Sequence, residues 1–183
     1  MWKKLLLAFV LGCVVTLAVT GTALYYIIYE PFDVVEAHVE TKNLTGDSLK
    51  ATADTFNADK SKGYIDYMHK GFEFDLSSSD EYCKVTVTVR VYNPSILTTS
   101  ALYLVPKKDT DVICYLEPSQ KSVNVLSGEK KEVKSYFVCR KNGMTNEALT
   151  EFIKGLDFYL LETDNTFGQK KIKVSLKDFI INV

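Results

Sequence analysis

"VTVTVRVYNPS", residues 85–95, is the stretch that decides the fold. Its valines recur at every second position, so they share one face of a strand while the threonines and the arginine share the other. A shift of one residue would expose the whole valine row, which fixes the pairing register. Pro94 lacks an amide donor and restricts Asn93 before it, so the strand ends there. The stretch predicts a half-buried strand with one face in a core.

More strand-like segments lie before and after this one along the chain. "GFEFDLS" at 71–77 alternates apolar and polar residues, and so favours a half-buried strand just before it. The later segments are SALYLVP, DVICYLE, KSVNVL, KEVKSYFVCR, LDFYLLET and KKIKVSLKDFIINV. Gly128 in "LSGEKKE" suits a turn between two of them. Short strands at a spacing of about 8–12 residues with turns between them indicate an all-β sandwich.

One short helix interrupts the strands at "MTNEALTEFIKGL", residues 144–156. Thr145 or Asn146 caps its start and Gly155 ends it. Three apolar residues share one face at helical spacing: Leu149, Phe152 and Ile153. We expect this helix to cover one open end of the sandwich.

Residues 33–62 are less regular. "VVEAHVE" alternates weakly and favours a first strand near residues 34–41, whereas "TKNLTGDS" after it is rich in turn residues. The following "LKATADTFNADKSK" has only a loose apolar period. We expect a polar stalk or loop there, as far as residue 62.

Residues 5–29 contain no charged residue. As a helix they extend about 37 Å, enough to cross a hydrocarbon core of about 30 Å. Lys3 and Lys4 precede the segment, while Trp2 and three tyrosines mark its two ends as aromatic belts do. The segment predicts a transmembrane signal-anchor helix with a cytoplasmic N-terminus. The bilayer is thus the first expected partner, through residues 5–29.

Two other interpretations of this segment stay open. A cleaved signal sequence has an apolar region of about 7–15 residues, which is shorter. "VLGC" at 10–13 also resembles a lipobox, in which cleavage leaves Cys13 lipidated. The apolar residues after Cys13 favour the retained anchor. The expected domains are a cytoplasmic N-terminus (1–4), the transmembrane helix (5–29), a juxtamembrane strand and polar stalk (30–62) and an extracytoplasmic β-sandwich (63–183).

Ionisable groups give little support for catalysis or nucleic-acid binding. The formal net charge is −1, and no basic stripe of the kind that binds nucleic acid is present in the sequence. His38 and His69 stand in no metal-ligand spacing, and no common nucleophile or phosphate-loop motif occurs. Four carboxylates near "ETDNTFG" fit a hairpin turn better than a calcium loop: Asp157, Glu162, Asp164 and Asp178. We expect no catalytic residue, metal or cofactor.

Three cysteines lie outside the apolar segment: Cys83, Cys114 and Cys139. Cys83 begins the valine strand and Cys139 ends a later one, so antiparallel pairing of these strands would place them side by side. We predict a Cys83–Cys139 disulfide, with three buried free thiols as the alternative. Asn43 in "NLT" is a glycosylation sequon, which matters if the source is eukaryotic.

Tyrosines are the candidate contact residues for a protein partner because their side chains are large and amphipathic. Five positions make up this predicted surface: Tyr64, Tyr67, Tyr92, Tyr103 and Tyr115. The alternative is that they are strand residues half covered by their neighbours.

Three quoted stretches together resemble a known family: "VRVYNPS" at 89–95, "SGEKKEVKSYFV" at 127–138 and "NEALTEFIKGLDFYLLE" at 146–162. They are similar to the group-2 late embryogenesis abundant domain, also called the water-stress and hypersensitive-response domain. The chain has "NPS" where that family commonly has "NPN", and an additional Ala-rich stretch before the sandwich. The resemblance implies an immunoglobulin-like or fibronectin-like β-sandwich, often behind one membrane helix, without enzymatic activity or a shared ligand site.

The expected function is therefore a membrane-anchored extracytoplasmic module that binds a protein partner or serves a structural role. One alternative is a carrier that holds a lipid or another apolar ligand between its sheets. The other is an envelope hydrolase, which would need a nucleophile and base that two histidines do not supply.

Overall fold

The computed structural model describes residues 2–28, 32–62, 72–95, 100–107, 111–116, 122–164 and 168–178. Its first element, α1 (Trp2–Ile28), is the one helix of this described part that is long and apolar enough to cross a membrane. The side chains of α1 from residue 2 to residue 24 are all exposed. By its length and its exposed apolar surface, α1 is compatible with a helix that crosses a bilayer.

Eight strands form two antiparallel sheets in the described residues after α1. The strands are β1 (Asp33–Asn43), β2 (Tyr82–Tyr92), β3 (Ser100–Pro106), β4 (Ile113–Leu116), β5 (Val123–Val125), β6 (Lys130–Arg140), β7 (Asp157–Asp164) and β8 (Gly168–Ser175). The first sheet has the order β1-β2-β6-β4 and the second β5-β3-β7-β8. Each strand predicted after residue 82 is present at least in part, as is the first strand, which β1 contains. The last predicted strand, at 170–183, ends at Ser175, where a 3-10 turn (Leu176–Asp178) follows, and residues 179–183 lie outside the described residues.

The valine row of β2 lies in the core between the sheets, as predicted. Its four valines have no exposed surface, and β2 pairs along its whole length with β6. Phe137 of β6 packs against Phe158 of the second sheet, with ring centroids 5.7 Å apart. One cluster of buried side chains contains residues of both sheets. The two sheets therefore pack face to face over an apolar interior.

Two polar residues tie the sheets together. Asn93, which ends β2 as predicted, donates its side-chain amide to the Val125 carbonyl of the second sheet at 3.1 Å. Its backbone carbonyl accepts from Gly128 at 2.8 Å, so the end of β2 is joined to the turn between β5 and β6. Ser135 on β6 donates its hydroxyl to the Leu104 carbonyl of β3. Both side chains are buried, so each satisfies a group that water does not reach.

The predicted short helix is present as α3 (Asn146–Lys154). Thr145 is its N-cap, with its hydroxyl accepting from the Ala148 amide at 3.2 Å, and Gly155 is its C-cap. Leu149 and Ile153 are fully buried in the core between the sheets. The helix packs beside β1, at the edge of the first sheet.

The prediction of a single short helix is wrong, because residues predicted as a polar stalk or loop form α2 (Gly46–Ser61). Thr45 and Ser48 make a reciprocal capping box at its start. Leu49, Ala53 and Phe56 are buried at helical spacing, which is the apolar stripe that holds α2 against the body.

The strand predicted at 71–77 is also wrong. Residues 72–75 have no regular secondary structure, and a turn follows at Leu76 and Ser77. Phe72 and Phe74 are partly buried against Phe56 of α2 rather than paired in a sheet. The alternation of apolar residues thus indicates which side chains are buried. It does not by itself predict a strand, because a strand also needs a neighbouring strand for its backbone hydrogen bonds.

Candidate functional site

A second cluster of buried side chains lies on the outer face of the first sheet, under α2. This α2 cluster comprises Leu44, Leu49, Phe56, Phe72, Phe74, Tyr82, Tyr115 and Val138. Its rings pack mostly edge to face, at centroid distances such as 5.4 Å between Phe56 and Tyr115. Tyr115 donates its hydroxyl to Asp59 of α2, so the helix is held by a polar contact as well. One end of this outer sheet face is therefore closed to partners.

The three described tyrosines of the predicted contact surface, Tyr92, Tyr103 and Tyr115, are not brought together. Tyr115 is 1% exposed within the α2 cluster and offers no surface in this structure. Tyr92 is half-buried on the first sheet, where the Lys130 ammonium lies 5.9 Å from its ring centroid. Tyr103 is half-buried on β3 of the other sheet. Tyr64 and Tyr67 lie outside the described residues.

The three cysteines meet at one end of the first sheet. Cys83 and Cys139 are directly opposite on β2 and β6, as the sequence predicts, and Cys114 lies at an irregular pairing of β4 with β6. The structure holds all of them as free thiols. The Cys83 sulfur donates to Asn43 Oδ1 at 3.0 Å and to Asn146 Oδ1 at 3.4 Å. The pairing is therefore present, and the disulfide itself stays a prediction.

Burial governs the acidity of these thiols. It raises the pKa of Cys83, raises the pKa of Cys114 to about 11, and raises the pKa of Cys139, where the neighbouring thiols add to the effect. A thiol whose pKa lies above the ambient pH stays protonated and is a poor nucleophile. Burial thus keeps the three thiols protonated at neutral pH.

Asn43, the candidate glycosylation residue, is exposed at the end of β1. Its side-chain oxygen accepts from the Lys141 ammonium at 3.4 Å in addition to the Cys83 thiol. The third sequon position, Thr45, is the N-cap of α2. Glycosylation at this position stays a prediction.

The outer face of β1, β2 and β6 that α2 leaves open carries charges of both signs. This charged face comprises Glu36, His38, Glu40, Thr88, Arg90, Glu132 and Lys134, which line a depression of about 300 Å³. Arg90 lies between Glu36 and Glu132 in the pairing register, and its guanidinium is 3.4 Å from the Glu36 carboxylate. His38 is 3.2 Å from Glu40, with 60% of its side chain exposed. His69 lies outside the described residues.

Charge pairs on this face are exposed, so each contributes little to stability. Lys134 is 3.2 Å from Glu132, and this hydrogen bond raises the pKa of the ammonium group. The arrangement presents charges of both signs over three neighbouring strands.

A second depression, of about 510 Å³, opens at the end of the first sheet where β2 begins and β6 ends. Its lining includes Ser77, Ser78, Glu81 and Lys141. Hydrogen bonds from Ser77 and Ser78 lower the pKa of the adjacent Asp75 carboxyl. Both oxygens of this carboxylate accept hydrogen bonds within the exposed turn. Among the residues that the structure describes, no group of three His, Cys, Asp or Glu side chains is placed to hold a metal ion.

The four carboxylates near "ETDNTFG" do not converge. Asp157 and Asp164 stand at opposite ends of β7, about 24 Å apart along the strand. Asp157 pairs with Lys173 at 3.0 Å and Lys107 at 3.3 Å, and both ammonium groups lower its pKa. Asp164 lies opposite Gly168, which confirms the predicted β-hairpin. Asp178 belongs to a short 3-10 turn after β8.

Sequence reasoning missed the burial of Glu162, which is 3% exposed. Glu162 is opposite Leu102 in the pairing of β7 with β3, and so faces the interior side of the second sheet. The sequence of β7 does indicate this burial, because Phe158, Leu160 and Glu162 stand at alternate positions and so lie on the same face of the strand. The α2 cluster was missed as well, although Leu49, Ala53 and Phe56 have the spacing of a helix face.

Comparison of the chain with protein-family models, with curated proteins and with solved structures finds no match. The resemblance to the group-2 late embryogenesis abundant domain therefore remains a prediction.

Proposed function

We propose that this protein is a single-pass membrane protein, with a cytoplasmic N-terminus, that presents a non-enzymatic interaction or structural module on the extracytoplasmic side. The module is an immunoglobulin-like or fibronectin-like β-sandwich of the late embryogenesis abundant type. The observation that carries the proposal is the charged face, an open three-strand surface of mixed charge on a body whose interior is packed.

The packing of the interior supports a binding module over a carrier. The facing rows of the two sheets are filled by fully buried side chains: Val85, Val87, Val89, Leu102, Leu104, Phe137, Phe158 and Leu160. A carrier would need these rows to separate and so to give up their contacts. The outer surface is then the part of the body that a partner reaches.

The charged face supports a protein partner of complementary mixed charge. Acidic and basic side chains alternate in one row across the strands, formed by Glu36, Arg90 and Glu132, and the next row consists of His38, Thr88 and Lys134. A partner must match both signs in register, which gives specificity and raises the rate of encounter. A lipid headgroup or nucleic acid would be attracted by charge of one sign instead.

The test is site-specific photo-crosslinking in intact cells. A benzophenone amino acid at Thr88, in the centre of the charged face, is expected to give a discrete protein adduct. Arg90→Glu should abolish that adduct because it reverses the central charge of the row. Lys171→Glu, on an exposed position of β8 in the other sheet, is the matched control and should leave it unchanged. An adduct that survives Arg90→Glu, or no adduct at all, contradicts the proposal.

A further inference from the structure

The connection between α1 and β1 is short. From Ile28 to Asp33 the chain reaches at most about 18 Å when fully extended. β1 has 11 residues and so is about 35 Å long. If α1 spans a bilayer, the end of the first sheet at Asp33 stays near that bilayer, whereas its other end can lie up to a full strand length farther away.

The residues at the Asp33 end follow from the strand register. Asp33 is opposite Tyr92, and Tyr92 is opposite Lys130, so the start of β1, the end of β2 and the start of β6 lie together. The turn between β5 and β6 joins the same end. Its backbone is closed by a hydrogen bond from Glu129 to the Leu126 carbonyl at 3.0 Å, and Gly128 takes a positive φ of 70°.

Exposed apolar residues are unevenly placed on the body. Among its described residues, three large apolar side chains are exposed: Val35, Leu76 and Leu126. Val35 and Leu126 lie at the Asp33 end, on β1 and in the turn after β5. Leu126 is 53% exposed although its own amide is fixed by the Glu129 carboxylate at 2.8 Å, so the turn holds this side chain outward.

The charges at this end are of both signs, because the carboxylates of Asp33 and Glu129 lie at the same end as Lys130 and Lys131. Glu129 is 3.1 Å from the Lys131 ammonium, and hydrogen bonds from Leu126 and Lys131 lower the pKa of its carboxyl. Lys130 is exposed and lies over the ring of Tyr92. Tyrosine and lysine beside exposed aliphatic side chains form the combination that favours the headgroup layer of a membrane.

We infer that the Asp33 end of the body is a bilayer-contacting surface, formed by Val35, Tyr92, Leu126 and Lys130. Leu126 and Val35 enter the headgroup layer of the bilayer that α1 crosses, and Lys130 meets lipid phosphates. The body is thereby held upright, with the charged face directed sideways and open to partners. This inference rests on the membrane anchoring in the proposed function.

Tryptophan quenching in nanodiscs tests the inference on the full-length chain. Trp2 is the only tryptophan, so Trp2→Phe gives a chain without tryptophan fluorescence. Leu126→Trp is introduced into this chain. Leu76→Trp is the matched control because Leu76 is 54% exposed but lies at the opposite end of the body from Asp33. The backbone amide of its neighbour Asp75 donates to Tyr82 Oη, and Tyr82 begins β2 at that opposite end. The discs contain phosphatidylcholine, with or without bromine near the headgroup end of its acyl chains.

Leu126→Trp is expected to lose fluorescence in brominated discs and to emit at shorter wavelength, while Leu76→Trp is unchanged. Addition of Lys130→Glu should reduce the quenching at position 126. A nitroxide attached through Ser127→Cys, in a chain whose exposed Cys13 is replaced by serine, provides a second readout that leaves Leu126 intact, and should show reduced access to a water-soluble relaxation agent.

Equal quenching at positions 126 and 76, including none at either, overturns the inference. A shift to shorter wavelength at position 126 without quenching by bromine also overturns it, in favour of contact with a second copy. The anchoring is tested separately by the unchanged chain, whose Trp2 should be quenched by the same lipid. Failure of that quenching overturns the anchoring and this inference together, whereas its success with no signal at position 126 overturns the inference alone.

Discussion

At the residue scale, single polar groups decide how the two sheets are held. Asn93 is 1% exposed, and its side chain both donates to Val125 in the second sheet and accepts from the Ser95 amide. This explains why asparagine, rather than another residue, precedes the proline that ends β2. Alternation predicts where the strand ends, but it carries no information on the partner of Asn93, which belongs to a different sheet.

Replacement of Asn93 should therefore destabilise the body. Asn93→Ala removes the hydrogen bonds that its side chain makes to the Val125 carbonyl and from the Ser95 amide, at a cost of about 1–3 kcal/mol in the free energy of unfolding. Urea denaturation of the full-length chain in detergent measures this value. Asn124→Ala, at a neighbouring exposed position on β5, is the control and should change it by less than about 0.5 kcal/mol. Equal effects of the two substitutions would contradict the proposed tie.

The raised pKa of Cys114 makes a prediction about alkaline pH. Its thiol is protonated in the folded state up to about pH 11, whereas in the unfolded chain it ionises near 9.0. Ionisation then favours the unfolded chain, so stability is full below pH 9 and falls between pH 9 and about pH 11. This contribution of Cys114 to the free energy of unfolding is about 3 kcal/mol at most.

Cys114→Ala should accordingly reduce the slope of stability against pH in that window. The comparison is between urea denaturation curves of the parent chain and the variant at pH 8, 9, 10 and 11, under reducing conditions. Parallel pH profiles would show that Cys114 ionises equally in the folded and unfolded states. A constant offset between the curves reflects only the loss of packing.

At the element scale, α2 and the loop after it close one end of the first sheet's outer face. Phe56 is 1% exposed, and it contacts three other rings of the α2 cluster. Phe56→Ala is expected to cost about 3–5 kcal/mol in the free energy of unfolding, because it leaves a cavity among the rings. Asn57→Ala on the exposed side of the same helix should be nearly neutral. A small effect of Phe56→Ala would restore the interpretation of residues 46–61 as a stalk.

The register of β2 and β6 bears on the predicted disulfide. Directly opposite residues on neighbouring antiparallel strands have Cβ atoms about 4.5–5.5 Å apart, and bridged cysteines need about 3.5–4.5 Å. A decrease of about 1 Å in the distance between the two Cβ atoms would thus allow the Cys83–Cys139 bond to form in an oxidising compartment. Non-reducing peptide mapping of the protein from its native membrane should recover the linked pair, with Cys114 free. Recovery of all three as free thiols would reject the bond.

The strands were predictable from the sequence and α2 was not, for a physical reason. A strand of the sandwich alternates between two environments, so its valines or leucines mark the period directly. On α2 only Leu49, Ala53 and Phe56 are buried, and small or charged residues fill the remaining turns. The stripe is too sparse to stand out until the rings of Phe72 and Phe74, far along the chain, complete it.

At the scale of the whole molecule, contacts between distant segments decide what the candidate sites become. The tyrosines were predicted as one surface because each is amphipathic, yet Tyr115 is covered by a helix that the sequence did not predict. The charged face arises because three strands that are distant in sequence place their outward residues side by side. Its members are ordinary solvent-facing residues when each strand is considered alone.

The arrangement of α1 and the body is the central claim, and labelling of intact cells with a membrane-impermeant thiol reagent tests it most directly. Lys50→Cys, on the exposed side of α2, and Lys3→Cys, before the apolar part of α1, are compared in a chain that retains its buried cysteines. We predict that Lys50→Cys is labelled in intact cells and that Lys3→Cys is labelled only after the membrane is permeabilised. Labelling of both sites in intact cells, or of Lys3→Cys alone, would contradict a single membrane-crossing helix that carries the β-sandwich outside the cytoplasm.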